Sequence, residues 1–219
     1  TENGPNIQNL GRYGNSVENI GDLNGDGVND MAVGEIQSNT WPNYRGSLHI
    51  HFMNTDGSIK STTEIDPMNM HNQPWSTSEP WLNAETGTYY NHFGSSITSV
   101  GDQDGDGVND IAVGANKDGY YCDCDGSGSN DYQMETGAVY ILHMKTDGTV
   151  KSSIRIDDNI PIGRGEISSY GGTWVGQFGT SITWADLDND FVPELVVGAA
   201  SDKETDWRDG AVYIITWNG

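Results

Sequence analysis

The sequence predicts an all-β fold of three repeated units of short antiparallel strands, with the third unit stopping one strand short. Three observations predict it. Glycine reaches 29 residues and aromatics 10%, while only 34% of the chain is hydrophobic, a turn-rich β composition rather than a helical one. An Asp-rich loop recurs from Asp22, Asp102 and Asp186, a period of 80 and then 84 residues. Each loop lies between two short β-prone runs, and a second matched pair of runs follows.

The elements align in order. Tyr13-Gly14-Asn15-Ser16-Val17, Phe93-Gly94-Ser95-Ser96-Ile97 and Phe178-Gly179-Thr180-Ser181-Ile182 open the units. The loops follow and lead into Met31-Ala32-Val33-Gly34, Ile111-Ala112-Val113-Gly114 and Leu195-Val196-Val197-Gly198. A third strand starts at Gly46, Gly137 and Gly210. Asn54-Thr55-Asp56-Gly57 and Lys145-Thr146-Asp147-Gly148 are hairpin turns, with glycine where positive φ is needed, into a fourth strand. Four short antiparallel strands per unit is the architecture of a β-propeller blade. The whole chain, 1–219, reads as one domain: blade 1 at about 11–66, blade 2 at about 91–157 and blade 3 at about 176–219. Inserts lie at about 67–90 and 157–176, and the chain reaches Trp217-Asn218-Gly219 where the last hairpin should begin. Segment 5–10 is a candidate to supply the missing strand, within one chain or to a neighbour, because an unpaired edge invites pairing.

Phe-Gly, then Asp-x-Asp-x-Asp-Gly-x-x-Asp, then a short apolar strand ending Val-Gly-Ala resembles the FG-GAP repeat of the integrin α-subunit propeller. The resemblance covers most of the chain in three copies and implies an extracellular, calcium-binding, adhesion-related role. These repeats are longer than the family's usual unit, and integrin-like propellers close with about seven blades.

The loops carry the chemistry. Calcium takes oxygen ligands from alternate loop positions, with glycine at the sixth for the sharp turn. The first loop offers Asp22, Asn24, Asp26, the Val28 carbonyl and Asp30, turning at Gly27. The second offers Asp102, Asp104, Asp106, the Val108 carbonyl and Asp110, turning at Gly107. The third offers Asp186, Asp188, Asp190, the Val192 carbonyl and Glu194, but Phe191 replaces the glycine. A bulky residue resists positive φ, so altered geometry is expected there. Magnesium fits less well, since it demands a tight octahedral shell with retained waters. An ordinary Asp/Gly-rich turn is the competing reading, and repetition at matched positions argues against it. Asp123, Asp125, Ser127 and Asp131 fit the same spacing in a possible fourth loop, beside Cys122 and Cys124. A polar loop without metal explains them equally well.

His49 and His51 alternate with Leu48, Ile50 and Phe52, so they share one strand face. A third zinc ligand is not evident, and a solvent-exposed face is the expectation. Trp75, Trp81, Tyr89 and Tyr90 in the first insert could contact a glycan or protein, or could cover an open propeller side.

The formal charge of −22 disfavours nucleic acid and anionic membrane surfaces, and no apolar run approaches the roughly 20 residues of a spanning helix. There is no nucleophile elbow and no phosphate-binding glycine loop. The leading expectation is a non-catalytic, calcium-stabilised extracellular module for adhesion or self-assembly, through an open edge. A carbohydrate- or protein-binding lectin-like module and an accessory domain of a secreted enzyme are the alternatives.

Overall fold

The computed structural model describes residues 11–37, 45–67, 91–122, 132–157, 175–201 and 210–216. Strands β1 (Tyr13–Gly21), β2 (Asp30–Glu35), β3 (Ser47–Met53) and β4 (Ile59–Ile65) pair consecutively and antiparallel. Strands β5 (Phe93–Gly101), β6 (Asp110–Ala115), β8 (Tyr132–Met144) and β9 (Val150–Asp157) repeat that order. A third set comprises β10 (Val175–Ala185), β11 (Glu194–Ala199) and β12 (Ala211–Ile215). These are β-propeller blades, and no helix of the described residues is long and apolar enough to cross a membrane.

One element departs from the expected pattern. The third strand of blade 2 begins at Tyr132 rather than at Gly137, because its first residues pair with β7 (Tyr120–Cys122). That hairpin brackets 123–131, so the candidate fourth loop lies outside the described residues. So do the donor segment 5–10 and the aromatic residues Trp75, Trp81, Tyr89 and Tyr90.

Side-chain alternation gives each blade two faces, called here forward and backward along the chain. Leu48, Ile50 and Phe52 on the forward face of blade 1 join Phe93, Ile97, Val113, Tyr140 and Leu142 of blade 2 in one apolar cluster. Val139, Ile141 and Ala112 on the forward face of blade 2 pack with Phe178, Leu195 and Val197 of blade 3. The middle blade is therefore buried on both sides, each such aliphatic side chain contributing about 1.5–3 kcal/mol by leaving water.

The Phe-Gly segment makes the joints. Phe93 N–H donates to the Arg45 carbonyl at 3.0 Å, and Ser16 Oγ donates to the Gly94 carbonyl at 2.7 Å. At the second joint Ser96 Oγ donates to the Gly179 carbonyl at 2.8 Å, and β10 pairs in parallel with β8 at Phe178↔Gly137. Contact this close requires bare backbone: a Cβ on Gly34 would lie 2.1 Å from the Gly94 oxygen, and one on Gly114 would lie 2.2 Å from the Gly179 oxygen. Each aromatic ring lies in the cluster between two blades and also meets a tyrosine of its own blade, Phe93 edge-on to Tyr140 and Phe178 edge-on to Tyr213.

His49 and His51 do not face solvent as expected. They are 4% and 0% exposed and stack on each other at 6.3 Å. Polar partners make that burial tolerable. His49 Nε2 is 2.8 Å from Glu35 Oε2, His51 Nδ1 is 2.7 Å from Thr62 Oγ1, and the Tyr13 hydroxyl meets His51 Nε2. Burial, and then the neighbouring His49, push the His51 pKa below its ordinary value.

Candidate metal centres

Each acidic loop connects the first two strands of its blade, and its backbone is curled by its own carboxylates. In the first loop Asp22 Oδ1 accepts the N–H groups of Gly25 and Asp26 at 2.8 and 3.0 Å, and Oδ2 accepts that of Gly27 at 2.7 Å. The second loop repeats this on Asp102, with Gly105, Asp106 and Gly107 at 2.8, 3.1 and 2.8 Å. Asn24 and Asp104 accept from Asp26 and Asp106, and those two accept from Val28 and Val108. Asx turns stacked in this way bring alternate side chains to one side of the loop.

The last acid anchors the loop to the blade. Asp30 and Asp110 are 1% and 0% exposed. Asp30 accepts from Leu23 and Met53 N–H at 3.0 and 3.1 Å, and Asp110 from Gln103 and Met144 N–H, both at 2.8 Å. Burial raises the Asp110 pKa, against the pull of those two amides. A cation beside this carboxylate would favour its charged form.

The third loop folds the same way in spite of Phe191. Asp186 accepts from Asn189 and Phe191 N–H at 2.7 and 3.1 Å, Asp190 from Val192 at 2.7 Å, and Glu194 from Leu187 at 2.9 Å. The expected resistance is overridden: Asn189 and Phe191 take φ values of 64° and 71°, against 76° and 86° at Gly25 and Gly27. The longer Phe191 contact, 3.1 Å against 2.7 Å for Gly27, is the local change.

Ligand atoms converge. One oxygen each from Asp102, Asp104 and Asp110 lie within 4.8 Å of one another, as do oxygens of Asp186, Asp188 and Glu194. In the first loop Asn24 stands where the second has Asp104, giving the first a lower charge at the same position in the loop. The donor set is all oxygen, as a hard divalent cation of calcium type requires, and offers nothing to a thiolate-seeking metal.

Two residues beside the loops are missing from the ligand reading. Lys60 Nζ lies 2.8 Å from Asp26 Oδ2, and Lys151 Nζ lies 2.8 Å from both Asp104 Oδ2 and Asp106 Oδ2. Hydrogen bonding from these ammonium groups lowers the Asp26 and Asp106 pKa values. Their signal is present in the repeat, since each lysine occupies the same place after its Asp-Gly turn.

The profile of the FG-GAP repeat matches residues 178–215. The chain is 28% identical to integrin α-3 of Cricetulus griseus over 193 residues, 88% of this chain and 15% of the relative. It is 29% identical to integrin α-6 of Gallus gallus over 196 residues, 89% of this chain and 14% of the relative. With integrin α-IIb of Mus musculus it shares 30% identity over 207 residues, 93% of this chain and 16% of the relative. The chain thus spans between 14% and 16% of the length of these relatives. Repeated Phe-Gly joints, acidic loops at one position in each blade, and likeness along most of the chain agree: the chain carries an FG-GAP repeat at 178–215 and is similar to integrin α subunits over most of its length.

Proposed function

We propose that the chain is a non-catalytic, calcium-stabilised extracellular module for adhesion or structural assembly. The observation carrying this reading is the same all-oxygen loop at the same place in three blades, two copies having three acidic oxygens within 4.8 Å. Asp22, Asn24, Asp26 and Asp30, their counterparts from Asp102 to Asp110, and those from Asp186 to Glu194 would hold the ions. The carbonyls of Val28, Val108 and Val192 would complete each set. Calcium supplies charge neutralisation and cross-links the turn, which matters in a chain of net charge −22. Millimolar calcium outside cells suits loops of modest affinity. A protein or glycan partner follows from the adhesion reading, as does self-association.

Differential scanning calorimetry with calcium and with chelator tests the stabilising role. Saturating calcium stabilises by RT ln(1 + [L]/Kd) per site, so about 100 Kd adds roughly 2.7 kcal/mol per loop. A transition temperature unmoved by calcium and chelator would refute it. Magnesium at equal concentration is expected to give the smaller shift.

A further inference from the structure

The joint between successive blades has two halves, and among the described residues each half also exists unengaged. The receiving half is a platform on the forward face: a glycine ending the second strand, a glycine opening the third, and a serine hydroxyl. In blade 1 these are Gly34, Gly46 and Ser16, and in blade 2 they are Gly114, Gly137 and Ser96. Each platform seats the Phe-Gly backbone of the next blade. Blade 3 has the same set in Gly198, Gly210 and Ser181. The three described atoms nearest to a Cβ on Gly198, and likewise on Gly210, all belong to blade 3 itself, whereas at Gly34, Gly46, Gly114 and Gly137 the nearest is a backbone oxygen of the next blade. A cavity of about 460 Å³ stands there, lined by Thr180, Ser181, Gly198, Gly210 and Val212 among others. The apolar positions beside the platform show the same vacancy. Leu48, Ile50, Val139 and Ile141 are 0–2% exposed, whereas their counterparts Val212 and Ile214 are 69% and 59% exposed.

The inserting half lies on β1. Gly94 and Gly179 press against the preceding blade, but a Cβ on Gly14 would meet nothing within 4 Å among the described residues. Ile97, on the same strand position in blade 2, is 8% exposed, and Val17 is 57% exposed. Within the chain this joint is carried mainly by the first strand of the incoming blade, which crosses the first three strands of the blade before it. In blade 1 no preceding blade lies against that strand among the described residues.

We propose that the Tyr13-Gly14 edge of one copy seats in the Gly198/Gly210 platform of a second copy, continuing the blade stack head to tail. The Gly14 carbonyl takes the Ser181 hydroxyl, and Val17 covers Val212 and Ile214. The inserting and receiving surfaces differ, so the contact is heterologous and extends to a ring or a filament. This inference deepens the assembly reading above. At net charge −22 the copies repel, so docking is favoured by physiological salt and by calcium in the loops.

The test is sedimentation velocity of the 219-residue chain at rising concentration in calcium and salt. Two surface variants accompany it, Val17→Asp on the inserting strand and Ile214→Asp on the platform. Circular dichroism and calcium calorimetry on each preparation report folding and loop binding separately, so failure of docking is distinguishable from failure of the calcium reading. The wild type is expected to associate beyond a dimer. Each variant alone should lose at least about 30-fold in association, the effect of one interface hot spot. An equimolar mixture should form a 1:1 complex and stop there, because each variant retains one intact half. A wild type that stays monomeric overturns the proposal and leaves the platform to a different FG-GAP blade. A folded mixture that stays monomeric, or variants that assemble like wild type, also overturns it.

Discussion

Replacing Phe191 by glycine is expected to stabilise the protein, although it deletes the largest side chain in the loop. Phe191 holds φ at 71°, the position where the other two loops have Gly27 and Gly107, both at 86°. A left-handed conformation costs a residue with a Cβ about 1–2 kcal/mol. The ring is 94% exposed, so its removal forfeits almost no burial. Glycine also loosens the unfolded chain, which opposes the gain by about 0.4–1 kcal/mol. The difference leaves roughly 0.5–1 kcal/mol in favour of Phe191→Gly, a rise of about 1–4 °C in a chain of this size. Phe191→Ala is the decisive control, because it removes the ring and keeps the Cβ. Thermal and urea unfolding of both variants, in chelator and in calcium, would be compared with wild type. If Phe191→Ala stabilises as much as Phe191→Gly, the backbone argument is wrong and the ring is the cause. If Phe191→Gly destabilises, the ring makes contacts that its exposure denies.

Lys151→Met removes the ammonium shared by Asp104 and Asp106, which competes with a cation for those carboxylates, so calcium affinity of the second loop should rise by calorimetry, by a modest factor because the pair is exposed to water. Unchanged or weaker binding would show that the lysine does not compete for those carboxylates. Gly114→Ala puts a Cβ 2.2 Å from the Gly179 oxygen and is expected to cost about 2–3 kcal/mol in urea unfolding. Gly198→Ala, at the unengaged counterpart, meets only the movable Ser181 hydroxyl and should cost well under about 1 kcal/mol in the monomer. Equal costs would refute the joint as the reason for these glycines. His92 is 8% exposed, and burial, then Lys117, depress its pKa to about 4 against the opposing effect of a hydrogen bond with Asn116. The unfolded chain therefore binds the proton first: the contribution of neutral His92 is complete above pH about 6.5 and is lost as pH falls towards 4, by about 2 kcal/mol at pH 5. His92→Asn suits the φ of 55° and should flatten stability between pH 7 and 5; an unchanged acid limb in urea titrations would refute that role.

What the sequence determined by itself was local. Ligand spacing, the glycine turns and the strand runs are legible because a loop of nine residues, Asp22 to Asp30, presents its side chains by its own backbone geometry. Repetition then converted each local reading into a blade. Phe191 marks the edge of that reasoning: its residue type forecast resistance, yet the hydrogen bonds to Asp186 and Asp190 hold its backbone in the turn. The tertiary structure decided which face of each strand is covered and by what. Alternation separates Leu48 and Ile50 from His49 and His51 but assigns neither set to water, because blades can be covered on both faces. Tyr13 and Glu35, which make the histidines' burial tolerable, arrive from other strands. The reach of Lys60 and Lys151 to the loops likewise depends on the fourth strand lying beside them. Only the fold could show the platform, since Ser16 meets Gly94 across 78 residues and Ser96 meets Gly179 across 83. A glycine read in sequence promises a turn or a close approach. Which of the two it provides is set by the blade that comes to rest against it.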